Sequence, residues 1–141
     1  MVRREFIFLT ILVVFLDQFS KYLVSFFRPD FGSDFFKVHY LTNTGAGWGI
    51  LPGKSLWLGF ISLAVAIFIV YNYQKLPTER FPQLLYALFL GGVIGNGIDR
   101  FFRGFVVDFI DFSFWPAFNI ADAAISIAVV GLLYWYWFVE K

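Results

Sequence analysis

Asp108 and Asp122 lie fourteen residues apart in a chain that is 60% hydrophobic. Each sits in a polar cluster at the edge of an apolar run. Gly95-Asn96-Gly97-Ile98-Asp99-Arg100 leads to Val107-Asp108-Phe109, and Phe118-Asn119-Ile120-Ala121-Asp122 opens the last run. Carboxylates near a bilayer are costly, so they are rare and mark sites. Two that face each other share a proton, which is the working part of an aspartic protease. The ordinary alternative is a pair of solvated loop-edge acids.

Helical spacing organises the other polar residues. Asp17 and Lys21 stand at i and i+4 and pair on one face, as a neutralised structural pair or as substrate-positioning groups. Asn96, Asp99 and Arg100 stand at i, i+3 and i+4, and Asn119 and Asp122 at i and i+3. Asp99 with Arg100 reads as a capping and salt-bridge unit that ends an apolar segment. Asn43 and the glycines after it allow left-handed backbone and turn chemistry. Asp111 pairs with Arg103 at the surface, His39 is a loop residue without chemistry, and Trp115, Trp135 and Trp137 are interfacial anchors.

These residues must be positioned by apolar elements. The chain has 141 residues, 23% aromatic and 15% charged, with mean hydropathy +0.73. So short a soluble protein has too much surface for such a composition, and an integral membrane protein is expected. A single domain over residues 1–141 is expected, without linker or low-complexity tail. A net charge of +1 gives no case for nucleic acid. With no cysteine there is no disulfide, thiol nucleophile or thiolate metal site, and one histidine builds no metal centre.

Four stretches are long enough to cross a core of about 30 Å. They are residues 6–27, interrupted by Asp17 and Lys21, and the uncharged runs 55–74, 81–98 and 123–139. The first follows Arg3 and Arg4, as a signal peptide would. It is too long for a signal-peptide core and ends at Phe26-Phe27-Arg28 without a small-x-small site. Between runs one and two, residues 35–42 alternate loosely and predict a short strand or two. The aromatic stretch 101–116 is expected to lie in the membrane interface. Lys and Arg divide five against five between the two sides, so charge leaves orientation open. With both termini on one side, the polar clusters converge at one depth near the opposite surface, which packing alone rarely requires.

The motifs Asp17-Gln18-Phe19-Ser20-Lys21, Asn43-Thr44-Gly45-Ala46-Gly47-Trp48, Gly95-Asn96-Gly97-Ile98-Asp99-Arg100 with Gly104 and Val107-Asp108-Phe109, and Phe118-Asn119-Ile120-Ala121-Asp122 occur in that order. Together they resemble the lipoprotein signal peptidases (signal peptidase II), bacterial four-span aspartic peptidases. The resemblance implies an all-α membrane fold of four helices, with a small β-containing extracytoplasmic loop between spans one and two. It implies Asp108 and Asp122 as the catalytic dyad, with Asp17, Lys21, Asn43, Asn96, Arg100 and Asn119 supporting them or touching substrate. It also implies cytoplasmic termini and a site near the outer face of the inner membrane. The substrate would be a prolipoprotein whose lipobox cysteine carries diacylglycerol. Ser20 replaces the usual threonine, and Gly47-Trp48 replaces the commoner Ala-Phe of the outer loop.

The implied chemistry needs no metal or other cofactor. One carboxylate activates a water, and the protonated one polarises the scissile carbonyl. The expected partners are the lipidated prolipoprotein and membrane lipids, with the enzyme a monomer. Two rival readings differ in class. A metal-dependent phosphatidyltransferase also groups aspartates near a membrane, and Gly104 to Asp108 fits its pattern. However, Asp111 follows one residue too early and the upstream Asp-Gly is missing. A non-enzymatic membrane subunit would explain buried charges but not their convergence.

Overall fold

The computed structural model describes residues 2–46 and 50–140. Its helices are α1 (Val2–Phe27), α2 (Ser55–Tyr71), α3 (Arg80–Phe102) and α4 (Ile120–Tyr134). Strands β1 (Asp30–Gly32) and β2 (Phe36–Asn43) join α1 to α2, and β3 (Val106–Phe112) and β4 (Trp115–Phe118) join α3 to α4. The altered Gly47-Trp48 lies outside the described residues.

Among the described residues, three helical stretches are long and apolar enough to cross a membrane: Arg3–Phe27, Arg80–Phe102 and Ile120–Val139. The apolar α2 is shorter, at 17 residues. It ends before residue 74, where the Asn72 side-chain amide donates to Phe68 O at 2.9 Å. Such local bonding competes with helix continuation. A 3-10 turn, Tyr73–Lys75, follows.

α3 is the central helix. It buries residues along most of its length and packs against α1, α2 and α4. Gly95 is needed for this, because a Cβ there would meet Asp17 Oδ2 at 2.6 Å. At the end remote from the sheet, Phe6, Ile69, Ala87 and Leu90 form an apolar cluster between α1, α2 and α3. Nearer the sheet, Val24 of α1 packs on Val107 and Phe109.

The aromatic stretch after α3 contains strands that the sequence reading did not assign there. It supplies half of a four-stranded antiparallel sheet ordered β1-β2-β3-β4. The fold is therefore helices plus a sheet drawn from both connections, rather than all-α with strands confined to the first. The run Val106-Val107-Asp108-Phe109-Ile110 is rich in β-branched and aromatic side chains, which suit a pleated, half-buried surface. Gly104, at φ +77°, turns the chain from α3 into β3. On β2, His39 and Tyr40 oppose only Phe109, a bulge between the pairs Val38↔Ile110 and Leu41↔Asp108.

Candidate active site

The site forms where α4 begins. Asn119 takes extended backbone and caps α4: its Oδ1 accepts from Asp122 N at 2.9 Å, while Asp122 Oδ2 accepts from Asn119 N at 3.2 Å. This reciprocal box satisfies two helix-end donors and fixes the Asp122 rotamer. Asp122 Oδ1 takes a further bond from Asn96 Nδ2 of α3, at 2.7 Å.

Asp108 comes from the other direction, on β3, and is 4% exposed. Its Oδ1 accepts from Asn119 Nδ2 at 2.7 Å, and its Oδ2 from Asn43 Nδ2 of β2 at 3.2 Å. Both carboxylates line one cavity of about 210 Å³, together with Arg100, Trp115, Phe118 and Ser126. Burial first, and then the nearby Asp122 charge, push the Asp108 carboxyl up to about 7. The bonds from Asn43 and Asn119 favour the ionised form and hold the rise in check. The solvated loop-edge reading does not describe Asp108.

Beneath the cavity lies a buried charge cluster. Lys21 Nζ is 2.8 Å from Asp17 Oδ2, 2.9 Å from Asp99 Oδ2 and 3.0 Å from Asn96 Oδ1, and all three charged side chains are 0% exposed. Asp17 Oδ1 accepts from Ala121 N at 2.9 Å, and Asp99 Oδ2 from Val107 N at 3.2 Å. Those are backbone groups beside Asp122 and Asp108. The cluster therefore ties α1 and α3 directly to the two segments that carry the paired carboxylates. Burying charge is costly unless each group is paired and hydrogen-bonded, and here each is.

The sequence expectations are met in part. Asp17 and Lys21 pair as their spacing requires. Asp99 does not pair with Arg100, and neither ends the helix. α3 continues to Phe102, and adjacent helical residues point about 100° apart. Asp99 turns instead toward Lys21, with Arg103 Nε 3.7 Å away. Arg103 is thus drawn off Asp111, which pairs with His39 at 2.8 Å across β2 and β3. His39 is a strand residue with a partner, not a loop residue.

Arg100 faces the cavity. Its NH2 group donates to Gly45 O at 3.5 Å, and its buried Nε has no hydrogen-bond partner among the described residues. A buried unpaired N–H is expensive and uncommon. The sequence reading missed Gln18, whose Nε2 lies 3.0 Å from both Gly95 O and Asp99 Oδ1 and 3.2 Å from Asp17 Oδ2. Its place inside the Asp17–Lys21 motif was the available signal.

The chain matches known proteins over nearly its whole length. A family model described as Signal peptidase (SPase) II matches residues 9–138. A lipoprotein signal peptidase of Caldanaerobacter subterraneus is 44% identical over 128 residues, 86% of this chain and 88% of the relative. One from Moorella thermoacetica is 42% identical over 137 residues, 92% and 90% of the two chains. Two solved bacterial membrane enzyme structures, both determined by the in meso method, share the fold with TM-scores of 0.82. One is 34% identical and covers 91% of this chain and 84% of its own; the other is 33% identical and covers 95% and 93%.

Proposed function

The chain belongs to the signal peptidase II family, and from that premise we propose that it cuts the signal peptide from prolipoproteins with Asp108 and Asp122 as the catalytic dyad. The observation that carries this reading is the single cavity onto which both carboxylates open, with Asn119 bonded to each. The substrate is a precursor whose cysteine already bears diacylglycerol, and cleavage falls N-terminal to that cysteine.

Two close carboxyls hold one proton between them, because both cannot ionise cheaply. Asp108, the more deeply buried, keeps it and donates to the scissile carbonyl oxygen. Asp122, oriented by Asn96 and Asn119, takes a proton from the attacking water. Attack gives a tetrahedral intermediate directly, with no acyl-enzyme and no metal. Its breakdown passes a proton to the leaving amine of the lipidated cysteine. The unpartnered Nε of Arg100 supplies a planar donor for a substrate carbonyl.

The membrane arrangement belongs to the same proposal. Four helices cross, α2 included. Its Gly59 lies beside Arg100 while its Ile69 reaches Ala87 and Leu90, so it runs the length of α3 between the charge cluster and the far apolar cluster. Seventeen residues rise about 26 Å, which suffices with its flanking turns. Both termini are cytoplasmic, and the sheet and cavity lie near the outer face of the inner membrane. The enzyme acts as a monomer, and its lipid-anchored substrate arrives by lateral diffusion.

The test is cleavage of a lipidated prolipoprotein by the purified protein in vesicles, with EDTA present. Wild type is expected to release the signal peptide, and Asp108→Asn and Asp122→Asn to lose at least about 10²-fold. A folded variant that keeps more than about a tenth of wild-type turnover would overturn the dyad. Loss on chelation, restored by Mg²⁺, would overturn the metal-free mechanism.

A further inference from the structure

α1 and α2 both lie along α3, yet they hardly touch each other. At the end remote from the sheet, the gap between them is a crevice of about 390 Å³. Phe6, Ile7, Thr10 and Ile11 of α1 form one wall, Val70 of α2 the other, and Leu90 of α3 the floor. The crevice opens sideways, since Ile7, Ile11 and Val70 are 48%, 62% and 62% exposed. Deeper in, the Thr10 hydroxyl already donates to Ala87 O at 3.3 Å, so that wall asks for no polar partner. From Arg3 to Ile11 the helix rises about 12 Å. No lining residue is shared with the carboxylate cavity.

One end of this apolar slot is cationic. Arg3 lines it, is exposed, and forms no ion pair among the described residues. Glu5, the acid of the same helical turn, is held instead by Arg80 at 2.9 Å. Gln74 lines the same end and offers a neutral amide donor. Arg4 and Lys75, the next residues along the chain from Arg3 and Gln74, add charge of the same sign. The first turn of α1 also points its free N–H groups and positive dipole end this way, which favours an anion. The slot therefore pairs apolar walls with a cation that has no counter-charge, and none of its lining residues is acidic.

We propose that the α1–α2 crevice binds one anionic phospholipid, with an acyl chain between Ile7, Ile11 and Val70 and the phosphate on Arg3. The inference goes beyond the peptidase reading and needs only that the helices span a membrane. By the proposed topology the crevice opens to the cytoplasmic leaflet. An unfilled apolar slot forfeits the dispersion contacts that a chain supplies, and its size falls in the range of small-ligand sites. Charge chooses between lipids. A zwitterionic head would bring its ammonium to a rim that already carries Arg3, Arg4 and Lys75, whereas an anionic head is drawn to it. The bound chain would join α1 to α2 where the protein itself leaves them apart.

The probe is phosphatidylglycerol, offered with equimolar phosphatidylethanolamine to the purified protein in detergent and followed by native mass spectrometry. Wild type is expected to retain one phosphatidylglycerol per chain, about ten-fold in preference to phosphatidylethanolamine. Arg3→Gln is expected to lower that retention about ten-fold, the scale of one hydrogen bond to a charged group. Arg4→Gln removes the same charge from an exposed neighbour that does not line the crevice, and should leave retention unchanged. Ile7→Trp places an indole where the chain would lie and should also lose the lipid. Arg3 and Ile7 are both exposed enough for the variants to fold, which thermal unfolding checks. Equal losses from Arg3→Gln and Arg4→Gln would reduce the effect to a diffuse basic rim and overturn the site. Equal retention of the two lipids, undiminished retention by Ile7→Trp, or a lipid-free dimer would overturn it too. Cleavage of a prolipoprotein enters none of these readouts, so failure of the peptidase reading would leave the lipid site standing or falling on its own.

Discussion

Asn119 donates to Asp108 at 2.7 Å while capping α4, whose third residue is Asp122. One side chain thus sets both the helix start and the separation of the paired carboxylates. Serine also caps helices well but is too short to reach Asp108. Asn119→Ser is expected to melt within a few degrees of wild type in detergent, yet to lose about ten- to a hundred-fold in turnover, the scale of one bond to a charged group. Thermal unfolding beside a cleavage assay checks this. Wild-type activity would break the link between cap and dyad.

The Asp108 carboxyl, raised to about 7, predicts the pH profile. Below that value Asp108 keeps the proton the mechanism needs. Above it the proton is lost, and kcat/KM should fall with a midpoint near 7. The bond from Asn43 favours the ionised form. Asn43→Ala should therefore move this alkaline limb to higher pH, and a shift to lower pH would reverse the assigned role.

Asp99 and Arg100 are neighbours in sequence with different tasks. Asp99 shares Lys21 with Asp17 at 0% exposure, so Lys21→Met leaves two buried carboxylates without their ammonium. Breaking such a cluster costs about 3–5 kcal/mol. Lys21→Met and Asp99→Asn are expected to lower yield and thermal stability in detergent. Arg100→Lys keeps the charge but loses the planar fork, and should express normally with reduced turnover. A stable, inactive Asp99→Asn beside a fully active Arg100→Lys would refute the division.

The orientation is tested in this cysteine-free chain by single cysteines at exposed positions. Asp34→Cys and Ser113→Cys, in the sheet region, should react with an impermeant maleimide added to intact spheroplasts. Gln74→Cys and Thr78→Cys should react only after the membrane is opened. Labelling of the 74–78 turn from outside would invert the topology.

The helices and the convergence of the polar clusters were legible because both rest on local rules: apolar runs and the i, i+3 and i+4 spacing of polar residues. The motifs named the residues that meet at the cavity. What stayed hidden was pairing that sequence distance conceals. Nothing local tells Asp99 to prefer Lys21, 78 positions earlier, over its neighbour Arg100. The sheet was half missed for a related reason. Residues 106–112 have Asp108 and Asp111 among apolar neighbours with no regular alternation, so their pattern alone does not reveal a strand whose partner comes from another connection.

The bond from Ala121 N to Asp17 Oδ1 spans 104 positions of chain. It therefore bears on when in synthesis the proposed dyad can be complete. A nascent chain that has emerged through Phe118 already holds Asp17, Lys21 and Asp108, but it lacks Asn119, the Ala121 donor and Asp122. On the proposed dyad, a chain halted there holds Asp108 without Asp122. The proposed peptidase would then stay silent until the segment that opens the last helix has joined the site.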